Sequence, residues 1–256
     1  MIFADAHCHL DFEEFDIDRH ELIAQCEALA IKVLVIPGVS RARWDRVLQL
    51  SAKYKCVYPC VGLHPYFLDQ HRDEDIAALE RLLLARKEVV AVGEIGLDLT
   101  MGGQERQLLM FEQQIDLANR FKLPVVMHSR KAHNLILQVL KRKLLVSGGV
   151  LHGFSGSYEQ AMSFWREGVY LGLGGVITYD RAQKTRNTFA KLPLESIVLE
   201  TDSPDMPLQG KQGGRNTPLN IPLIHKAFCS LRSESEEDIN RQLMKNTSDL
   251  FGISNY

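Results

Sequence analysis

The sequence has little of what marks a secreted or membrane-bound protein. Its 256 residues include five cysteines, an odd number without regular spacing. We therefore expect a protein of a reducing compartment, without a disulfide framework. Asp5, His7 and His9 stand where a cleavable signal would need an apolar run. No segment approaches the roughly 18 uninterrupted apolar residues of a membrane span. These absences predict a cytoplasmic protein that does not bind membranes.

An excess of charge of one sign is also absent. The 30 Lys and Arg residues nearly balance the 32 Asp and Glu residues, and the net charge is -2. Such a balance gives no global attraction to nucleic acid or to an anionic membrane. Local basic clusters at residues 41–46 and 130–131 are more simply explained as solvated surface. We therefore expect a small-molecule or short nucleic-acid substrate and no obligate protein partner.

No linker, low-complexity segment or charge block divides the chain, so we predict a single domain over residues 1–256. Short apolar stretches alternate with amphipathic segments from end to end. Eight of these stretches are predicted to be strands: residues 2–9, 32–36, 57–62, 89–95, 124–128, 150–152, 169–173 and 196–201. Two closing helices are predicted within residues 222–251, divided near residues 233–235.

Alternation of strands and helices predicts an α/β fold with a parallel sheet covered by helices. Eight such units in about 250 residues match a (β/α)₈ TIM-type barrel. An open doubly wound sheet is the alternative, but it normally has a glycine-rich phosphate turn after its first strand. This chain has histidines there instead. Functional groups of a barrel gather at the carboxyl ends of its strands, and we predict a metal site there.

The first strand ends with two histidines, His7 and His9. Successive side chains of a strand point to opposite faces, so the two imidazoles project together, about 6.5–7 Å apart along the strand. Cys8 then points away, into the core. Two converging imidazoles make half of a first-row metal site. The alternative is that one histidine is structural and the other is solvated.

Further imidazoles and carboxylates lie at the ends of five other predicted strands: His64, Glu94, His128, His152 and Asp202. Such a set would be costly to bury at one mouth without a cation. The histidines of strand one and Asp202 of strand eight suit one metal, because these strands are neighbours in a closed barrel. His128 and His152 suit a second metal, and Glu94 could bridge the two.

Mixed nitrogen and oxygen ligation favours Zn, Mn, Fe or Ni over Ca. Two such cations about 3.5–4 Å apart would acidify a bridging water and stabilise an oxyanion. This chemistry predicts a metal-dependent hydrolase.

At these residues the sequence resembles the TatD family of metal-dependent hydrolases, a branch of the amidohydrolase-type barrels. Matching segments follow the family order along nearly the whole chain: DAHCHLD at 5–11, GLHP at 62–65, GEIGLD at 93–98, LPVVMHSR at 123–130, HGFSG at 152–156, ETDSP at 200–204 and RN at 215–216. The resemblance implies a TIM-like barrel, two divalent cations (Zn, Mn or Mg) and hydrolysis, often as a DNase or 3′–5′ exonuclease.

By position in these motifs, the resemblance implies six metal ligands: His7, His9, Glu94, His128, His152 and Asp202. It implies that Asp202 is also a proton shuttle for the attacking water and that His64 lies near the scissile group. Asp202, Glu94 and His64 are thus the predicted catalytic residues. His64 and Arg130 are the candidate substrate contacts. For His64 the alternative is a residue that merely begins the loop before Pro65.

Two positions near the mouth depart from the family pattern. Leu99 stands where the family commonly has an aromatic residue. Asp205 stands where it commonly has an aromatic or aliphatic residue. An added carboxylate disfavours a polyanion, so we favour a phosphodiesterase acting on single-stranded or 3′-terminal DNA over one that cleaves duplex internally. A hydrolase of carboxylic esters or amides, including aminoacyl nucleotides or tRNA, is the alternative. A non-catalytic metal-binding protein is disfavoured, because no expected ligand is missing.

Overall fold

Eight parallel strands form one sheet in which each strand pairs with the next along the chain. The computed structural model describes residues 1–254. The strands are β1 (Phe3–Asp5), β2 (Ile31–Gly38), β3 (Val57–Val61), β4 (Ala91–Asp98), β5 (Val125–Arg130), β6 (Gly149–Leu151), β7 (Val169–Leu173) and β8 (Ile197–Leu199).

The sheet closes between β8 and β1 through the segments that follow these strands. The Ala6 N–H donates to the Leu199 carbonyl at 2.8 Å, and the His9 N–H donates to the Ser203 carbonyl at 2.7 Å. Cys8 also pairs with Ser203 in a parallel bridge. The predicted (β/α)₈ barrel is therefore confirmed, and its first and last strands are neighbours.

Helices connect the strands and cover the barrel. Within residues 1–254 the α-helices are α1 (Arg19–Ala28), α2 (Arg41–Lys53), α3 (Glu74–Ala85), α4 (Gln104–Phe121), α5 (His133–Arg142), α6 (Tyr158–Arg166), α7 (Gln183–Lys191), α8 (Ile221–Cys229) and α9 (Glu236–Phe251). The last two confirm the predicted pair of closing helices. Among the described residues no helix has the length and apolar character needed to cross a membrane.

Small and β-branched side chains fill the barrel interior. Along β2, Val33 and Val35 belong to the interior cluster, whereas Leu34 and Ile36 pack in the larger cluster that includes the apolar helix faces. This alternation follows from the two-residue period of a strand. Phe251 of α9 packs against the interior cluster. The barrel thus has a packed core, above which polar groups can gather at the carboxyl ends of the strands.

The first strand is shorter than predicted. It ends at Asp5 instead of His9, because Asp5 Oδ1 accepts the His7 N–H at 3.2 Å and takes that amide out of the ladder. Extended pairing resumes at Cys8, whose N–H donates to the Val35 carbonyl at 3.1 Å. The Cys8 side chain is buried in the core, as predicted.

The fourth and last strands also differ from their predicted bounds, which were residues 89–95 and 196–201. β4 runs to Asp98, so Glu94 lies inside the strand rather than at its end. β8 ends at Leu199, because the N–H and hydroxyl of Thr201 donate to the Asp5 carboxylate at 3.0 and 2.6 Å instead of joining a ladder. The other five strands agree with prediction to within two residues.

Candidate metal centre

Two imidazoles meet just after β1. His7 Nε2 and His9 Nε2 lie 3.1 Å apart, and both side chains are buried. Their rings meet edge to face, with centroids 4.9 Å apart. The expected convergence is present, although it arises in the extended segment after the strand.

A carboxylate oxygen from each of two other strands joins this pair. Asp202 Oδ1 lies 3.4 Å from His7 Nε2 and 3.7 Å from His9 Nε2. Glu94 Oε2 lies 3.4 Å from both nitrogens. Atoms bound at about 2.0–2.2 Å to one tetrahedral ion lie about 3.3–3.6 Å apart. The spacing of these four atoms is therefore compatible with a set of metal ligands.

The other oxygen of Glu94 faces a second pair of imidazoles. Glu94 Oε1 lies 2.8 Å from His152 Nε2 and 3.4 Å from His128 Nδ1. These two nitrogens are themselves 3.1 Å apart. The two oxygens of one buried carboxylate thus face different imidazole pairs, which is the arrangement that a bridging ligand requires.

The donor set fits divalent cations. Imidazole nitrogens and carboxylate oxygens are the ligands of zinc and other first-row metals. Each of the six side chains is at most 18% exposed: His7, His9, Glu94, His128, His152 and Asp202. Groups of three among them bring their ligand atoms within 4.8 Å of one another. Without a cation, burial of so many titratable groups would be costly.

His64 lies beside the same carboxylate, but both of its ring nitrogens are engaged in contacts within the protein. Its Nε2 lies 3.0 Å from Glu94 Oε1, and its Nδ1 accepts the Tyr66 N–H at 2.9 Å. Burial lowers the pKa of His64 to about 4, which favours the neutral ring. A neutral imidazole that accepts at Nδ1 carries its hydrogen on Nε2. His64 therefore donates to Glu94 and offers no free lone pair to a cation, which favours the predicted role outside the ligand set.

Burial and the neighbouring carboxylates act in opposite directions on the pKa values of His7, His9 and His152. Burial lowers the pKa of His7 to about 3. Burial acts in the same direction on His9 and His152, but Glu94 and Asp202 outweigh it and raise their pKa values to about 9 and about 10. The imidazoles in turn hold the pKa of Glu94 well below its ordinary value, against the effect of burial. The centre therefore favours positive charge around its carboxylates.

The environment of Asp202 combines burial, neighbouring imidazoles and an unusual backbone conformation. Burial raises the pKa of its carboxyl, although His152 and His9 act in the opposite direction. Its backbone has φ +55, a left-handed conformation that aspartate tolerates better than most residues. Its N–H donates to the His7 carbonyl at 2.9 Å, which fixes the carboxylate beside the cluster.

Two buried carboxylates that sequence reasoning missed lie next to the cluster, and one of them, Asp98, also lines the cavity above it. Asp98 Oδ2 lies 3.6 Å from His128 Nε2, on the side of the ring away from Glu94. Glu200 Oε1 accepts the N–H of Gly153 at 2.5 Å and so holds the turn after His152. Asp98 thus places a negative charge beside the His128 ring, and Glu200 anchors the backbone next to His152.

The supporting carboxylates depend on packing between distant segments. A Cβ at Gly172, in β7, would overlap the Glu200 carboxylate, so this glycine leaves the space in which Glu200 lies. Asp5 accepts hydrogen bonds from both His7 and Thr201, and burial raises its pKa to about 7. In the sequence, the three carboxylates could have been found as acidic residues within or next to apolar stretches: Asp5, Asp98 and Glu200.

An open cavity of about 370 Å³ lies over the cluster. Besides all the cluster residues except His7, its lining includes both predicted substrate contacts, His64 and Arg130, and also Asp205. Leu99 instead packs against the hydrophobic core. The cavity also has aromatic lining that sequence reasoning did not single out: Phe12, Tyr66 and Phe67.

The chain is similar to known proteins over almost its full length. Residues 4–252 match the family model of TatD related DNases. The sequence is 42% identical over 254 residues to the uncharacterized metal-dependent hydrolase YjjV of Escherichia coli K12, covering 98% of each chain. The crystal structure of YjjV gives a TM-score of 0.95, also over 98% of each chain.

Two further relatives extend this similarity. An uncharacterized metal-dependent hydrolase of Haemophilus influenzae is 40% identical over 262 residues, covering 98% of this chain and 100% of the relative. The 3′-5′ ssDNA/RNA exonuclease TatD of Cronobacter sakazakii is 30% identical over 256 residues, covering 96% and 97%.

Proposed function

Because this chain belongs to the family of TatD related DNases, which are metal-dependent hydrolases, we propose that it hydrolyses phosphodiester bonds of single-stranded or 3′-terminal DNA. The observation that carries the proposal is the buried carboxylate of Glu94, with imidazoles facing both of its oxygens at the floor of a cavity that Arg130 also lines. A relative named as a 3′-5′ ssDNA/RNA exonuclease supports this class of substrate.

The proposal assigns six residues as ligands of two divalent cations, Zn, Mn or Mg: His7, His9, Glu94, His128, His152 and Asp202. When bound, such cations acidify water and stabilise negative charge on the reacting group. Asp202 accepts the proton of the attacking water, since its carboxyl has a raised pKa and lies beside the cluster. Arg130 donates hydrogen bonds to non-bridging phosphate oxygens, and His64 lies beside the scissile group, where its one N–H is shared between Glu94 and the phosphate.

Asp205 favours a second candidate function, hydrolysis of carboxylic esters or amides. Its exposed carboxylate lines the same cavity. A carboxylate there repels a polyanion and would pair with the ammonium group of an aminoacyl ester. The same ligands would serve either substrate, because water activation and oxyanion stabilisation apply to carbon as well as to phosphorus.

A substrate panel separates the two functions. With Mn, Zn or Mg added, we expect turnover of a small phosphodiester and of a 3′-terminal single strand. A closed duplex circle should be cleaved poorly, because a net charge of -2 provides no broad field to hold it. Efficient hydrolysis of carboxylic esters or amides, with no phosphodiester turnover in any metal, would reject the proposal in favour of the second candidate.

His64→Ala should leave the metal content near normal while turnover falls. The expected loss is about 10- to 150-fold, the value of one hydrogen bond to a charged group. Metal content is measured by mass spectrometry of dialysed protein, and turnover on the 3′-terminal single strand. Loss of a stoichiometric metal ion would instead make His64 a ligand.

His71→Ala is the matched control for this variant. The buried His71 donates from Nε2 to the His64 carbonyl at 2.9 Å, so its removal loosens the same loop without removing the imidazole beside Glu94. If both variants lost stability and turnover equally, His64 would merely shape the loop before Pro65.

A further inference from the structure

The walls of the cavity differ in chemistry from one side to the other. The segments after β1, β2 and β3 contribute apolar side chains, whereas β4, β5 and the segment after β8 contribute charged ones. The first side has Phe12, Val39, Tyr66 and Phe67, and the second has Asp98, Arg130 and Asp205. A ligand that fits both sides has an apolar part and a polar part, and an anionic group on that polar part would face Arg130. A volume of about 370 Å³ lies at the small end of ligand sites, which suits one nucleotide unit.

Of the three aromatic rings, Tyr66 is the most accessible. The Phe12 ring is stacked on His9, with centroids 4.6 Å apart, and the Arg43 guanidinium lies 4.8 Å from its centroid. Phe67 is half-buried and meets the Tyr66 ring edge to face, at 5.3 Å and 81°. Tyr66 is 56% exposed. An edge-to-face pair leaves a ring face open to a ligand.

The position of Tyr66 is tied to the reaction centre. Its N–H donates to His64 Nδ1 at 2.9 Å, and His64 Nε2 lies 3.0 Å from Glu94. The backbone of Tyr66 is therefore held in the cavity wall, two residues from a group that contacts the central carboxylate. A large exposed aromatic side chain on a positioned backbone is suited to stacking.

We propose that Tyr66, supported by Phe67, is a stacking platform for the base of the terminal nucleotide, whose phosphate faces Arg130. This inference rests on the proposed phosphodiesterase function and names how its substrate is held. Every nucleobase has a π-face, so the platform recognises terminal bases without regard to sequence. Bases inside a duplex are already stacked and cannot reach the ring, which gives a physical cause for preferring single-stranded ends.

Equilibrium binding tests the platform without relying on turnover. Titration calorimetry on the metal-loaded protein compares dAMP with deoxyribose 5-phosphate, which lacks the base. Tyr66→Ala should weaken dAMP binding by about 5- to 100-fold, the range for one stacked base, and leave deoxyribose 5-phosphate unchanged. Tyr66→Phe should retain the wild-type affinity, because it keeps the ring.

Tyr158→Ala is the matched control, since Tyr158 begins α6, is 37% exposed and does not line the described cavity. It should bind both probes as the wild type does. Equal affinity of Tyr66→Ala and wild type for dAMP, an equal loss for both probes, or no binding of dAMP to the wild type would each overturn the platform.

Turnover separates this failure from failure of the proposed function. One outcome is that the wild type cleaves strands with a normal and an abasic 3′-terminal residue at the same rate, and that Tyr66→Ala cleaves them as the wild type does. Those results together would refute the platform and keep the phosphodiesterase. Protein that hydrolyses carboxylic esters alone would refute the phosphodiesterase, and dAMP binding that depends on the Tyr66 ring would then still support the platform.

Discussion

Replacing Glu94 by glutamine is expected to remove bound divalent metal and to lower turnover by more than about 100-fold. Loss of a residue that only hydrogen-bonds to a metal ligand costs up to about 100-fold, and loss of a bridging ligand should cost more. The two oxygens of Glu94 face separate imidazole pairs, and its pKa is held well below the ordinary value. Glutamine keeps the shape but removes the negative charge and points an N–H donor at imidazole nitrogens. Metal content after dialysis and turnover on a 3′-terminal single strand measure the two effects.

Glu112→Gln provides the control for this change. Glu112 lies on α4, where its carboxylate pairs with Arg142 at 2.7 Å on the surface. The same loss of charge there should alter neither metal content nor turnover. Thermal unfolding of both variants shows whether the fold is kept. Normal binding of two metal ions and full turnover by Glu94→Gln would show that the bridging assignment is wrong.

The barrel was predictable from the alternation of apolar stretches, and so was the meeting of His7 and His9. The strand carrying them is shorter than predicted, because Asp5 binds the His7 amide. Their common orientation survives, since extended backbone keeps its two-residue alternation without a continuous ladder. The hydrogen bond from the His9 N–H to Ser203 shows the chain still running beside its neighbour.

Other features of the centre depend on contacts that no local pattern reveals. The tautomer of His64 follows from one backbone N–H, that of Tyr66, in the turn after Pro65. The burial of Glu200 depends on the absence of a side chain at Gly172, in a neighbouring strand. The sequence therefore predicts which groups reach the mouth of the barrel. The state of each group depends on the tertiary packing around it.

Replacing Asp202 by asparagine is expected to lower kcat by about 10²–10⁴-fold, the usual contribution of a general base. Asparagine occupies left-handed backbone as readily as aspartate, so φ +55 at this position should be kept. Its amide oxygen can still face His7 and His9, but it cannot accept a proton from the attacking water. Single-turnover rates, measured at saturating metal on a 3′-terminal single strand, isolate the chemical step.

Asp205→Asn separates this loss from a general effect of charge. Asp205 lies in the same loop and lines the same cavity, and its N–H donates to the Asp202 carbonyl at 2.9 Å. Neutralising this exposed carboxylate should leave kcat unchanged and lower KM for DNA, since one repulsive charge is removed. If Asp202→Asn lost one metal ion and excess metal restored its single-turnover rate, Asp202 would be a ligand without a role as base. The base would then have to be sought among the other carboxylates at the mouth.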